Sequence, residues 1–490
     1  ATSMGMVFRN EDGTQELKDQ GCSDFFINVG AFQVELINPD NTGIILVDYN
    51  GSTQILAQNT NGNANYSLYA NGELVDSQSD VNFYNGFQFT NLTENQYCEL
   101  HINQGDSSMI KKFTILVNNT TIESIPVYLE DGINYNDDTS KAILVLSAPH
   151  KDFIYVAGDF NFWSPTSAHA MKKDSTSERF WIEIEGLQPG EIYTYQYWVS
   201  DLSPIDESPS LVKTADPFST MVLSPFDDPS IPETSYPNLP EYPYDFGIER
   251  EVTVLKTGQE PYNWQVENFE KPKEEDLIIY EVLIRDFDSE RTFQNLVDRI
   301  DYFKDLNINA IELMPVMEYE GNESWGYNTA FHMSVDKFYG PEEKLKEFID
   351  LCHQNGIAVI FDLVMNHVMG RSPMNRMWMN DPDGNGWGEP SEESPYFNEI
   401  ATHSYGLGND FNHQSSYTQY YTQRVVKHWV EEFKIDGIRW DLTKGFTQNC
   451  NAGDDGCTNA YQQDRVDVLK SYADYSWSLD PDHYVIFEHL

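Results

Sequence analysis

No run of about eighteen apolar residues occurs in this chain of 490 residues, so no helix is expected to span a bilayer. Positive charge is scarce: 30 Lys and Arg stand against 79 Asp and Glu, a net charge of -49. A field of that sign repels phosphate backbones and anionic lipid, which argues against nucleic-acid and membrane-surface partners and fits a neutral substrate. Acidity of this size also serves solubility on its own account. Cysteine is sparse, at Cys22, Cys98, Cys352, Cys450 and Cys457. Cys450 and Cys457 flank a short Asn/Gly/Asp loop and are expected to pair. Cys22 and Cys98 are expected to form a second bridge, and Cys352, on a predicted helix, to stay a buried free thiol. Such bridges imply an oxidising exterior. The N-terminus lacks a charged-then-apolar leader, and Ala1-Thr2-Ser3 fits a mature end after signal removal, so the expected location is secreted or cell-surface.

What the chain does have is length, aromatics and periodic strands. Its length implies two to four domains. An aromatic content of 14% suits stacking on sugar rings as well as packing in β-rich cores. Residues 1–135 alternate short β-rich runs (25–29, 43–49, 67–70, 112–117) with Asn/Gly/Asp turns, which predicts a β-sandwich without a chemical motif. Residues 136–235 repeat that grammar with a strand running into an aromatic turn at 153–163, then strands at 180–184 and 193–198. The stretch 236–276 follows a proline-rich run and is expected to be a semi-rigid linker. From 277 to 490, apolar strands at 277–282, 308–313, 357–361, 435–440 and 484–487 alternate with helices at 292–306, 345–355 and 418–433, the signature of a parallel βα fold. The fifty residues from 368 to 417 are too long for a plain loop and predict an inserted domain.

The chemistry gathers at strand ends. Arg439 and Asp441, two apart on one strand, share a face near its C-terminal end, where a (β/α) barrel keeps its active site. The guanidinium is expected to hold Asp441 ionised, a usable nucleophile. Asp362 to His367 close the third strand, and Glu488 and His489 the fifth. Paired carboxylates from neighbouring strands suit glycoside hydrolysis.

Together, DLVMNH (362–367), GIRWD (437–441) and FEH (487–489), with WGYN (325–328) and GLGNDFN (406–412), resemble glycoside hydrolase family 13, the α-amylase family. The resemblance implies a (β/α)8 TIM barrel, here ending after the fifth strand, preceded by two immunoglobulin-like sandwiches. It implies Asp441 as nucleophile, Glu488 as general acid/base about 5 Å away, and Arg439 as the orienting cation. Tyr327 and Trp325 would face the sugar, His367 would hydrogen-bond it in subsite −1, and Asp362 would brace the arginine. Lys444 matches a substrate lysine whose usual following histidine is Gly445 here, which leaves the leaving-group contacts open; His489 is a candidate for one of them. Asn366 and Asp410 match the family's Ca2+ ligands. Separately, Asp381, Asp383, Asn385 and Glu392 fit the spacing of a calcium loop, although two prolines and no flanking helical pattern argue against an EF-hand.

Residues 136–235, closing at Asp216-Pro217-Phe218, resemble a family-48 carbohydrate-binding module. The expected activity is cleavage of internal α-1,4 bonds of an α-glucan such as starch, glycogen or malto-oligosaccharides. The alternatives are a branching or α-1,6-debranching enzyme of the same family and a non-catalytic starch-binding protein. The third catalytic carboxylate would lie beyond Leu490, and oligomeric state is not readable.

Overall fold

The computed structural model describes residues 33–40 and 43–489, together with the strand backbone at 2–6, 8–9, 16–17 and 25–29. Residues 1–119 and 120–490 form two compact units.

In the first unit a three-stranded sheet, ordered Phe83–Leu92, Gly51–Asn59, Val34–Asn38, accompanies a five-stranded one, ordered Ile44–Asp48, Ser107–Asn118, Gln96–Gln104, Ala64–Ala70, Glu73–Val81. Strict alternation turns Tyr66, Leu68, Leu100 and Ile102 inward, the period-2 pattern of a half-buried strand. Cys98 faces that same core as a free thiol, and burial pushes its pKa up to about 12. The expected bridge to Cys22 is therefore not made, because the pleat points Cys98 between Ala70 and Phe113 in the neighbouring strands; Cys22 itself lies outside the described residues.

The second unit opens with its own pair of sheets. Gly132–Asn134, Lys141–Ser147, Arg179–Glu185 and Lys172–Lys173 form one. Phe153–Gly158, Tyr193–Ser200, Val252–Leu255 and Val222–Leu223 form the other, with Leu211–Thr214 on the second of these strands. Buried Asp216 accepts from both Tyr195 and Tyr197 hydroxyls at 2.9 Å, which pins the Asp-Pro-Phe stretch to the sandwich. Two expected boundaries move. The first unit ends at Asn119 rather than 135, because Gly132–Asn134 already pairs with the second sandwich. The expected linker 236–276 contributes the strand Val252–Leu255, fully buried between two partners; a proline-rich run excludes helix but says nothing against the apolar strand that follows it.

Five parallel strands then follow in order: Ile279–Val282, Ala310–Leu313, Ala358–Leu363, Gly437–Trp440 and Tyr484–Phe487. Helices Glu342–Gln354, Ser416–Phe433 and Gln463–Leu479 bury one face each against them. The helix expected at 292–306 is two, Phe293–Asp298 and Ile300–Asp305, broken where Arg299 leaves helical backbone angles. One apolar core runs from Leu144 and Tyr195 of the sandwich to Phe361 and Trp429 of the strand–helix part. Polar ties cross the same seam: Trp378 Nε1 donates to the Pro149 carbonyl at 2.9 Å, and Arg424 Nη1 to that of Asp131 at 2.7 Å. The segment after the third strand is held at both ends by the pairing of His367–Val368 with Asn409–Asp410 and is filled by Trp378, Tyr396 and Phe397. Among the described residues no helix is long and apolar enough to cross a membrane.

Candidate active site

Parallel register places Asp362 beside Arg439 on the third and fourth strands, and Trp440 beside Phe487 on the fourth and fifth. Side chains two residues apart share a face, so the strand ends deliver Asp362, Arg439, Asp441 and Glu488 to one mouth. Gly437 permits the close approach: a Cβ there would stand 2.7 Å from that of Tyr484.

Arg439 is the hub. Its Nη1 donates to Asp441 Oδ1 at 2.8 Å and to both oxygens of Asp362 at 2.9 and 3.0 Å, while Nη2 lies 2.6 Å from Glu488 Oε1. One guanidinium fork thus touches both Asp441 and Glu488, so the two carboxyls face each other across a single cation. Three carboxyl groups around one cation cannot all shed their protons without cost. Burial pushes Asp441 up to about 6, with Arg439 pulling it down and Glu488 pushing it further up. Asp362, fully buried, is pushed up to about 7 by burial against the same guanidinium and the Tyr327 hydroxyl. Arg439 pulls Asp441 toward the ionised form as expected, but desolvation works against it and is the larger effect. Arg439 is itself raised, because its carboxylate partners outweigh the desolvation that would lower it.

The backbone after Asp441 is strained toward this arrangement. Leu442 adopts φ 48°, ψ 45°, a left-handed conformation that a branched residue takes only when its surroundings enforce it. That turn aims the Leu442 N–H at Glu488 Oε2, 2.8 Å away, and the Thr443 N–H at the Glu488 carbonyl, 3.1 Å away.

The other expected residues divide. Tyr327 donates its hydroxyl to Asp362 at 2.7 Å, and Trp325 stands exposed at the rim. His367 is 1% exposed and its Nε2 is engaged with the Tyr327 carbonyl at 2.8 Å, so it holds the tyrosine in place. Lys444 Nζ donates to Asn459 Oδ1 at 2.7 Å. His489, exposed, has its Nδ1 3.3 Å from Thr443 Oγ1.

Of the expected calcium ligands, Asn366 Oδ1 is buried without a hydrogen-bond partner. It rests against Gly445, where a Cβ would come within 1.6 Å of it, which accounts for the missing side chain after Lys444. The neighbouring Asp410 carboxylate already accepts from His403 Nε2 and Asn398 Nδ2, both at 2.7 Å. The loop at 381–392 does not fit an ion. Both Asp381 oxygens accept backbone N–H groups, from Asn385 at 2.9 Å and Gly386 at 2.8 Å, and Asp383 accepts the Asn385 amide, while Glu392 is exposed. Among the described residues no group of three or more His, Cys, Asp or Glu is gathered for a metal.

Sequence reasoning passed over Glu281 and Glu312, which oppose each other across the first two parallel strands. Glu312 is raised by burial, then by Glu281, and also feels Arg439 and Glu488. Their position next to last in each strand was the available signal. Asn459 was passed over too, and no local pattern announces it.

Residues 285–375 match the family description "Alpha amylase, catalytic domain". A malto-oligosyltrehalose trehalohydrolase of Saccharolobus solfataricus is 33% identical over 189 residues, covering 38% of this chain and 31% of that protein. A 1,4-α-glucan branching enzyme of Pseudomonas fluorescens is 27% identical over 310 residues, covering 60% and 36%. A pullulanase of Paenibacillus barengoltzii, solved with maltotriose, superposes with a TM-score of 0.53 at 18% identity, covering 73% of this chain and 53% of that one. The chain thus spans about a third of the length of the curated relatives it matches.

Proposed function

We propose that this chain, which carries a glycoside hydrolase catalytic domain of the α-amylase family, cleaves internal α-1,4-glucosidic bonds of an α-glucan such as starch or glycogen outside the cell, with retention. The observation that carries this reading is the single guanidinium of Arg439 holding Asp441 and Glu488 side by side. In the first step an Asp441 oxygen bonds to the anomeric carbon as Glu488 passes its proton to the departing glycosidic oxygen, leaving a glycosyl ester. In the second, Glu488 takes a proton from water, the hydroxide displaces Asp441, and both carboxyls return to their starting state. Trp325 and Tyr327 offer the sugar aromatic surface. In this reading the parallel strands belong to an eight-stranded barrel, and the second sandwich serves as a family-48-like carbohydrate-binding module.

Digestion of starch, amylose and pullulan in parallel by the protein that carries this chain tests the reading. Short malto-oligosaccharides from starch and amylose are expected. A second reading, motivated by the named relatives, is a branching, debranching or trehalose-releasing enzyme. New α-1,6 branches, cleavage confined to pullulan's α-1,6 bonds, or trehalose released from malto-oligosyltrehalose would each replace the amylase assignment, and binding without product would leave a glucan-binding protein. The acidic surface and the Cys450–Cys457 bridge support export; activity retained wholly inside intact cells would sink that part.

Calcium enters the proposal at Asn366, whose orphaned amide oxygen suits a hard cation, and Asp410 would be the carboxylate that holds it beside that oxygen. It would tie the inserted segment to the strands and takes no part in bond breaking. Chelation by EGTA is expected to lower the unfolding temperature of the wild type and to leave that of Asn366→Ala unmoved; an equal response in both proteins would remove the ion from this place.

A further inference from the structure

The loop after the fourth strand carries a device that the two-carboxylate chemistry does not require. Cys450 and Cys457 are bridged across a separation of seven residues, and Cys457 sits in the short helix Asp455–Asn459, capped by Asp454, whose Oδ1 accepts the Cys457 N–H at 2.9 Å. The end of that helix presents Asn459, whose Oδ1 receives two donors, Lys444 Nζ at 2.7 Å and the Tyr405 hydroxyl at 3.1 Å. Behind it, Arg465 is 2% exposed and donates to the carbonyls of Lys444, Thr458 and Ala460 at 3.0, 2.9 and 2.8 Å. The bridged loop, the helix end and the Lys444 turn are thereby fixed as one piece.

Lys444 belongs to the buried turn Thr443–Phe446, and that turn is fastened to the proton-donor side of the site: Thr443 binds the Glu488 carbonyl, and the preceding Leu442 N–H binds the Glu488 carboxylate. Glu488 delivers its proton to the oxygen of the departing sugar in the proposed reaction, and the turn that carries Lys444 is anchored directly to that residue. Among the described residues, the ammonium makes one side-chain hydrogen bond, to a neutral amide oxygen. An ammonium carries three donors, of which the Asn459 contact takes one.

We infer that Asn459, held by the Cys450–Cys457 bridge, is a positioning residue that sets Lys444 for the leaving-group part of the glucan and so governs how strongly the enzyme favours long chains. The inference rests on the hydrolase reading above. It explains why a loop beyond the catalytic strand is bridged, capped and pinned by a buried arginine.

The test compares maltoheptaose, which extends across the leaving-group side, with a nitrophenyl maltoside, whose small aromatic leaving group does not reach Lys444. Asn459→Ala is expected to raise KM for maltoheptaose about tenfold, the loss appropriate to one hydrogen bond to a charged group. Its kcat, and both constants for the nitrophenyl substrate, should stay within twofold. Asn459→Asp, which keeps an acceptor for the ammonium, should restore the maltoheptaose KM, and dithiothreitol or Cys457→Ser should reproduce the Ala phenotype. Equal losses on both substrates, or no change on either, would overturn the inference. A wild type that cleaves neither substrate would overturn the hydrolase reading instead.

Discussion

Asp441→Asn is expected to lower the rate of glucan hydrolysis by about 10⁴-fold or more, since an amide is a feeble nucleophile and the residual rate reflects binding and the remaining acid alone. The same substitution is expected to stabilise the fold. In the native state the Asp441 proton is held up to about 6, against an ordinary carboxyl value near 4 in the unfolded chain. A raised native value means that the folded state binds the proton more tightly. The associated stability is therefore fully present below about pH 4, is lost as pH rises from about 4 to 6, and stays lost above. Asparagine carries no such charge. Its advantage should be on the order of 1–3 kcal/mol at pH 7 and shrink toward nothing near pH 4. Denaturant unfolding of both proteins at the two pH values checks the sign, and a variant less stable than wild type at pH 7 would show that the Arg439 ion pair outweighs burial after all.

Arg439→Met should act on both stability and chemistry. The side chain is 15% exposed and faces Asp362, Asp441 and Glu488, so its removal leaves three carboxyl groups with no cation among them. Breaking such a mostly buried cluster costs about 3 kcal/mol. What activity survives should have its acidic limb moved upward from about pH 6, because the group that pulls Asp441 down is gone. The pH profile of kcat/KM reads this directly. A profile that stays in place with activity intact would assign the arginine to scaffolding and leave the charge of Asp441 to burial and Glu488.

Much of this site was legible from the chain alone because it depends on period and order. Alternation puts Arg439 and Asp441 on one face, and three apolar strands that end on Asp362, Asp441 and Glu488 have few ways to converge except at the mouth of a parallel sheet. What was not legible depends on depth and on distant partners. The charge of Asp441 turned on how far the strand ends are buried, which no neighbour in sequence reports. Asn459 reaches Lys444 across 15 residues of loop, and the pairing rests on the folded loop rather than on any spacing rule. Cys98 was misread for a related reason: a cysteine count says how many bridges are possible, while strand pleat decides which thiols face the core. The strand Val252–Leu255 was hidden by its proline-rich neighbours.

The apolar core that runs unbroken from Leu144 through Trp429 bears on how such a protein is taken apart. Residues 120–490 are one compact unit, so the second sandwich cannot be lifted out of them as a transferable cassette without unroofing the strands that carry the carboxylates. The natural seam lies at Asn119–Thr120, and it is there that chimeras should be joined and fragments trimmed.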